Sequence, residues 1–411
     1  MQSFNPGPVL GSRQQVLLPS LLLAAALCVS ASLLRRPAGC RKAPYEPSPG
    51  RSPPRRQPQD QDQDLPYPPD ALPGARDVET PYGSIRVYEW GPRDGERVLL
   101  VPGVSTPVIA LGDLGHEMVA RGYRVMMFDL FGRGYSDAPN DLAYDTRLFV
   151  TQFLLVLASS GISWTTAPGF HLVGYSLGGG LSVAFTRYFP HLVRSLSLVT
   201  PGGLIRRHHV GWLSWLYYNS GLLPERLAKY LVRRRIRPEP KPAHAAGGSD
   251  IMAAEGERIV ERDGDSNGGP GFNSAAISKT RPHVTVSSVV AWQVDCHEGF
   301  VMAFMSTIRN APIYAPQEDW KALSKILEAR RHNGETHISD AEFAAGLEGG
   351  KILLVLGKSD GVIVMDETIE DAKSVLGHDA IEFIILEGGH ELPITSSQSV
   401  AQSIEGFWKS K

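Results

Sequence analysis

The sequence predicts an α/β fold, a mostly parallel sheet with helices on both faces and an inserted helical cap. Three observations predict it. From about Ser84 short apolar runs alternate with longer segments of helical spacing. Glycine- and proline-rich turns close the apolar runs. Regularity then fails from about Gly203 to Glu348 and returns afterwards, so the irregular stretch reads as an insertion into one sheet.

In order, Ser84–Tyr88 alternates as a strand, and Arg97–Val101 is a buried strand ending at Pro102-Gly103. A helical pattern runs to about Ala120. Tyr123–Leu130 is the next strand, Thr146–Ser159 a helix, Phe170–Tyr175 a strand, Leu177–Tyr188 a helix, and Leu192–Val199 leads into another strand. Beyond the insertion come the strand Lys351–Leu356, a helix near Asp366–Leu376, the strand Ile381–Leu386 and a last helix to about Trp408.

The chain before these elements reads differently. Val16–Leu34 is an uncharged run of about 19 residues, long enough to cross a hydrocarbon core of roughly 30 Å as a helix. Only Arg13 precedes it, whereas Arg35, Arg36, Arg41 and Lys42 follow. That bias favours a retained single-pass anchor within residues 1–36, with the remainder cytosolic. A cleaved signal peptide, with Val29-Ser30-Ala31 as its cleavage site, and an organelle-targeting sequence are the rivals. Residues 37–76 are rich in Pro, Arg, Gln and Asp and read as a disordered linker, with Cys40 an ordinary thiol or a palmitoylation site. The folded domain is thus expected over 77–411, with its cap at about 204–348.

Composition narrows the function classes. The 411 residues carry a net charge of −2, which leaves no electrostatic footprint for nucleic acid. Three cysteines, Cys28, Cys40 and Cys296, are too few and too scattered for a disulfide framework. No Asn-x-Ser/Thr sequon occurs. Metal-ligand spacing and a strand–Gly-x-Gly-x-x-Gly–helix unit are both absent from the pattern, so no metal and no cofactor are expected.

The chemistry-bearing residues lie at strand ends. Gly174-Tyr175-Ser176-Leu177-Gly178 sits between an apolar strand and a helix, where a sharp turn flanked by small residues lifts a serine above the sheet. Gly179 and Gly180 extend the small-residue run beyond what the turn requires. A serine hydroxyl needs a base. His390, ending Glu387-Gly388-Gly389-His390, follows a strand and can supply one. Asp360, in Leu356-Gly357-Lys358-Ser359-Asp360-Gly361, follows another and can hold the imidazole in its working tautomer. Taken singly, the three are a turn serine, a loop histidine and a helix-capping aspartate. Together they stand where open α/β sheets bind ligands, beyond the carboxyl ends of the strands.

From about Val78 to Lys411 the chain resembles the α/β-hydrolase family, in particular members with a cap. The order Ser176, Asp360, His390 is that family's order. Asp129-Leu130-Phe131-Gly132-Arg133-Gly134-Tyr135-Ser136-Asp137 matches its loop after the fourth strand. The resemblance makes Arg133 structural and gives the acid's usual position to Asp360 rather than Asp137. It implies an oxyanion hole from the N–H of Leu177 and one on the loop Val101–Ser105, which points to Val104. Here the chain has Pro102-Gly103 where the family more often has His-Gly. Pro102 and Pro107 carry no N–H, so Val104 or Ser105 must donate.

Within the insertion, Trp212, Trp215, Tyr217 and Tyr218 cluster with leucines and are bracketed by Arg206, Arg207, His208 and His209 before and Arg233, Arg234, Arg235 and Arg237 after. Two readings stand: an amphipathic cap helix with a solvated charged face, or a cap resting on an anionic membrane that admits a lipid chain. Pro238–Pro282 reads as a loop carrying no site, and Val284–Arg309 as helical. His297 reads as a satisfied cap histidine, and Met302 and Met305 as pocket or core lining. The expectation is a serine hydrolase acting on an apolar or lipid carboxylic ester such as a monoacylglycerol. The alternatives are a C–C bond hydrolase of diketone type and a catalytically silent binding protein.

Overall fold

The computed structural model describes residues 44–51, 65–209, 211–219, 222–238, 269–315, 318–332 and 346–410. The expected anchor Val16–Leu34 lies outside them, as do Cys28, Cys40 and most of the insertion's Pro/Gly/Ser stretch. Among the described residues no helix is long and apolar enough to cross a membrane.

Among the described residues ten strands form: β1 Tyr45–Glu46, β2 Ala75–Thr80, β3 Gly83–Trp90, β4 Arg97–Val101, β5 Arg124–Phe128, β6 Ala138–Pro139, β7 Phe170–Tyr175, β8 Val193–Val199, β9 Ile352–Gly357 and β10 Ile381–Leu386. Eight of them make one sheet in the order β10-β9-β8-β7-β4-β5-β3-β2. β2, β3 and β5 pair antiparallel, and every pairing from β5 through β4 to β10 is parallel. The residues explain this placement. β7 and β9 are buried along their whole length, as strands covered on both faces must be. β2 (ARDVET) alternates exposed and half-buried residues and occupies the edge.

The covering helices are α1 Gly112–Ala120, α2 Thr146–Ala158, α3 Leu177–Tyr188, α7 Glu318–His332, α8 Met365–Leu376 and α9 Ser397–Lys409. The cap contributes α4 Glu225–Ile236, α5 Val286–Cys296 and α6 Phe300–Asn310. Local sequence sets their starts. The Asp145 carboxylate accepts the N–H of Arg147 and Leu148 at the head of α2 (3.0 and 3.2 Å), and Thr285 with Ser288 forms a capping box on α5.

Two domain boundaries move from their expected places. The linker does not run unpacked to residue 76. Tyr45–Glu46 pairs with Ala138–Pro139, and Tyr67 is fully buried. The Tyr67 hydroxyl meets that of Tyr88 at 2.8 Å and donates to Asp129 Oδ2 at 3.0 Å, while its ring packs on Tyr135 and Trp292. One aromatic anchor thus secures a polar segment whose composition alone promises no burial. Tyr67→Ala is expected to cost about 3–5 kcal/mol of stability, measurable by denaturant titration. The second boundary is the cap's end. α7 falls inside the expected 204–348 insertion, yet its Trp320, Leu323 and Leu327 are buried and it packs on α3 and α8. It belongs to the layer over the sheet, and the cap closes near Tyr314.

Candidate active site

The strand order reverses between β4 and β7: β4 leads to β5 on one side, and β7 leads to β8 on the other. Such a switch point leaves a crevice at the strands' carboxyl ends. The loop Pro102–Pro107 and Ser176 sit there.

Ser176 has φ 51° and ψ −121°, a conformation costly for any residue with a Cβ. Its neighbours show why they must be glycine. A Cβ on Gly174 would lie 2.5 Å from the Gly178 carbonyl oxygen, and one on Gly178 would lie 2.3 Å from that of Val101. The longer glycine run also finds its cause. A Cβ on Gly179 would strike Pro201, and one on Gly180 the Pro312 carbonyl oxygen at 2.4 Å, so α3 lies pressed against both chain crossings into the cap.

The three distant stretches converge. His390 Nε2 lies 3.0 Å from Ser176 Oγ, and His390 Nδ1 lies 2.9 Å from Asp360 Oδ2. The other oxygen of Asp360 accepts the N–H groups of Val362 and Ile363, each at 2.8 Å. The Tyr175 hydroxyl donates to the His390 carbonyl at 2.7 Å and fixes the loop that carries the imidazole. Asp137 stands elsewhere. It accepts from the backbone of Ser48 and Ser84 and pairs with Arg51, so it ties the amino-terminal segment to the loop after β5.

Leu177 opens α3, where the first N–H groups of a helix lack intrahelical acceptors. Val104 lies across the crevice, with Gly103 close enough that a Cβ there would sit 3.3 Å from that of Ser176. The carbonyls beyond it are held by other groups. Arg133 Nε donates to the Val104 oxygen at 3.2 Å, and Gln293 Nε2 to the Ser105 oxygen at 2.8 Å. Arg133 is fully buried and also donates to the Phe131 carbonyl and Thr307 Oγ1. Burial draws its guanidinium down to about 10. Asp129 accepts from Val108 N–H at 2.8 Å and Tyr135 N–H at 2.9 Å, and burial pushes its carboxyl up to about 6.

A cavity partly open to solvent lies above Ser176. Ile205, Phe272, Phe304, Ile308 and Ile313 give it an apolar wall, and among the described residues no lysine or arginine lines it. Phe272 comes from Pro238–Pro282, the segment expected to carry no site, and its ring lies 5.8 Å from that of His390. Its short helix Gly269–Ser274 is too brief for periodicity to reveal. Met305 is buried in the core, and neither it nor Met302 lines the cavity.

His297 is buried and satisfied. Its Nε2 lies 2.9 Å from the Ser136 carbonyl, and its Nδ1 accepts from Gly299 N–H at 3.2 Å. Burial holds the imidazole down to about 4. The folded chain therefore binds fewer protons there than the unfolded chain, whose histidine titrates near about 6.5. Stability from this group is complete above that pH and drains away as pH falls towards 4, by up to about 3 kcal/mol. Denaturant midpoints of wild type and His297→Gln, compared at neutral and acid pH, measure it. Among the described residues one group has metal-ligand geometry: His208, His209 and Glu367, with ligand atoms within 4.8 Å of one another. It lies outside the cavity wall, and Arg206 lies 3.8 Å from Glu367.

A family model described as alpha/beta hydrolase fold matches residues 110–397. The chain is 32% identical over 129 residues to the "Probable lysophospholipase BODYGUARD 2" of Arabidopsis thaliana, covering 31% of this chain and 23% of that protein. It is 32% identical over 170 residues to the 2-hydroxy-6-oxo-2,4-heptadienoate hydrolase of Pseudomonas putida, covering 37% of this chain and 60% of that one. The chain thus spans less than two thirds of each of these curated relatives. Among solved structures, a membrane phospholipase A described as a bacterial virulence factor superposes with a TM-score of 0.52 at 16% identity, over 96% of this chain and 93% of that one.

Proposed function

Because the chain belongs to the α/β-hydrolase-fold family, we propose that it cleaves carboxylic esters of apolar or lipid acyl groups through an acyl-enzyme on Ser176. The observation that carries this reading is the unbroken hydrogen-bond chain Asp360–His390–Ser176 at the floor of an apolar cavity. His390 Nε2 takes the hydroxyl proton as Oγ attacks the ester carbonyl. Asp360, already bonded to Nδ1, stabilises the imidazolium. The N–H groups of Leu177 and Val104 receive the oxyanion. His390 returns the proton to the leaving alcohol, then draws one from water, whose oxygen attacks the acyl carbon and frees the acid and Ser176.

The similarity to a 2-hydroxy-6-oxo-2,4-heptadienoate hydrolase raises the C–C reading. Such a substrate carries a carboxylate, and a buried carboxylate calls for a cationic partner. Among the described residues no lysine or arginine lines the cavity, whereas its apolar side chains suit an aliphatic chain. The test is turnover of p-nitrophenyl esters of graded chain length and of monoacylglycerols beside the dienoate, with fluorophosphonate labelling in parallel. Ester turnover with labelling at Ser176 is expected. Dienoate turnover alone would favour C–C cleavage, and no labelling a binding protein.

For placement in the cell, we propose a retained anchor at Val16–Leu34 with the hydrolase domain on the cytosolic side, supported by the uncharged run and the basic residues after it. Retention in the membrane fraction after alkaline extraction is the expected result.

A further inference from the structure

Among the described residues eight large hydrophobic side chains are exposed, and five of them fall within Trp212–Tyr230: Trp212 71%, Trp215 52%, Leu222 72%, Leu227 43% and Tyr230 60%. Isolated exposed apolar residues are ordinary, but five in so short a stretch concentrate apolar surface on this part of the cap. α4 shows that it faces outward. Ala228, Val232 and Ile236, spaced by four, turn inward and α4 packs on α6, while Leu227 and Tyr230 lie on the far side with Arg226 and Arg234. Arg226, Lys229 and Arg234 have no acidic partner among the described residues, whereas Arg233 and Arg237 are drawn to Asp295.

We propose that this face of the cap docks on an anionic lipid surface, with Trp212, Trp215, Leu222, Leu227 and Tyr230 in the interfacial layer and Arg226, Lys229 and Arg234 on lipid phosphates. Tryptophan and tyrosine favour that layer, and each nearby cation adds about 1 kcal/mol, or roughly fivefold in binding. A second copy of the chain is the poorer occupant. In a twofold contact each residue meets the same surface, so these cations would face cations.

The patch also lies one layer from the cavity. Phe304 lines the cavity and packs against Tyr218, in the same helical segment as exposed Trp215. Arg309 Nε donates to the Tyr218 carbonyl at 2.6 Å and pairs with Glu225 at 3.6 Å, which fixes the outer layer to α6. Docking needs no hydrolysis. That the bilayer supplies the ester rests on the function proposed above.

Tryptophan fluorescence tests the docking directly. Of seven tryptophans, the five other than Trp212 and Trp215 are nine-tenths buried or more, and none precedes Trp90. Vesicles of phosphatidylcholine, alone or with a third replaced by phosphatidylserine, carry bromine on their acyl chains. With the full chain, quenching is expected on the anionic vesicles and should weaken as salt rises. It should vanish in Trp212→Ala/Trp215→Ala. Arg226→Gln/Lys229→Gln/Arg234→Gln should weaken it on the order of a hundredfold while turnover of a short soluble ester stays unchanged.

Several results would overturn the proposal: no quenching by protein that sediments with anionic vesicles, tryptophans shielded from acrylamide without lipid, which would mean cover by another part of the chain, or a dimer broken by the tryptophan substitutions. Soluble-ester turnover reads the chemistry separately, so failure of docking and failure of the hydrolase reading are distinguishable.

Discussion

Ser176→Ala is expected to lower ester turnover on the order of 10⁶-fold and to abolish fluorophosphonate labelling, with the fold retained. The Oγ is the atom 3.0 Å from His390 Nε2, and an alanine methyl leaves the imidazole with no oxygen to activate. Alanine keeps the Cβ, so the unfavourable φ of 51° persists. Ser176→Gly loses the same activity but relieves the backbone. Strain of about 1–3 kcal/mol set against about 0.5–1 kcal/mol of added chain entropy leaves the glycine variant at least as stable as the alanine one. Denaturant midpoints of the two variants check this, and a markedly less stable glycine variant would contradict the strain.

Asp360→Asn is expected to reduce turnover by about 10⁴-fold without unfolding. The geometry dictates why. Oδ1 is held by two backbone N–H groups, from Val362 and Ile363, so the oxygen of asparagine must stay there. Its NH₂ then points at His390 Nδ1, which must accept. The proton moves to Nε2, and the imidazole now donates to Ser176 Oγ rather than accepting from it. Fluorophosphonate labelling should slow in parallel with ester turnover. Near-wild-type labelling would show that Asp360 does not set the tautomer.

The sheet and the three converging residues were legible because each rests on a local signal, an apolar strand followed by a turn. The family resemblance, through the acid's usual position, then favoured Asp360 over Asp137. What escaped was set by contacts remote in sequence. Tyr67 lies in a stretch without periodicity, and its worth depends on Tyr88, Asp129 and Trp292. β2 carries Arg76, Asp77 and Glu79 among its six residues because it is an edge, which weakens the apolar signal of a strand. α7 follows the cap without a break in composition, and only its buried Trp320, Leu323 and Leu327 show which layer it joins. Gly179 and Gly180 were visible as an excess, but their cause, Pro201 and Pro312, is tertiary.

The carbonyls of Val104 and Ser105 are held by Arg133 and Gln293, and Arg133 is itself tied to Thr307. Gln293 and Thr307 belong to the cap, the other partners to the body of the domain. The cap and the loop proposed to cradle the oxyanion are therefore tied together by hydrogen bonds. A guest too bulky for the chamber cannot lift the roof and leave the cradle assembled. Oversized acyl groups should bind and then react slowly, so discrimination by size falls on kcat more than on KM.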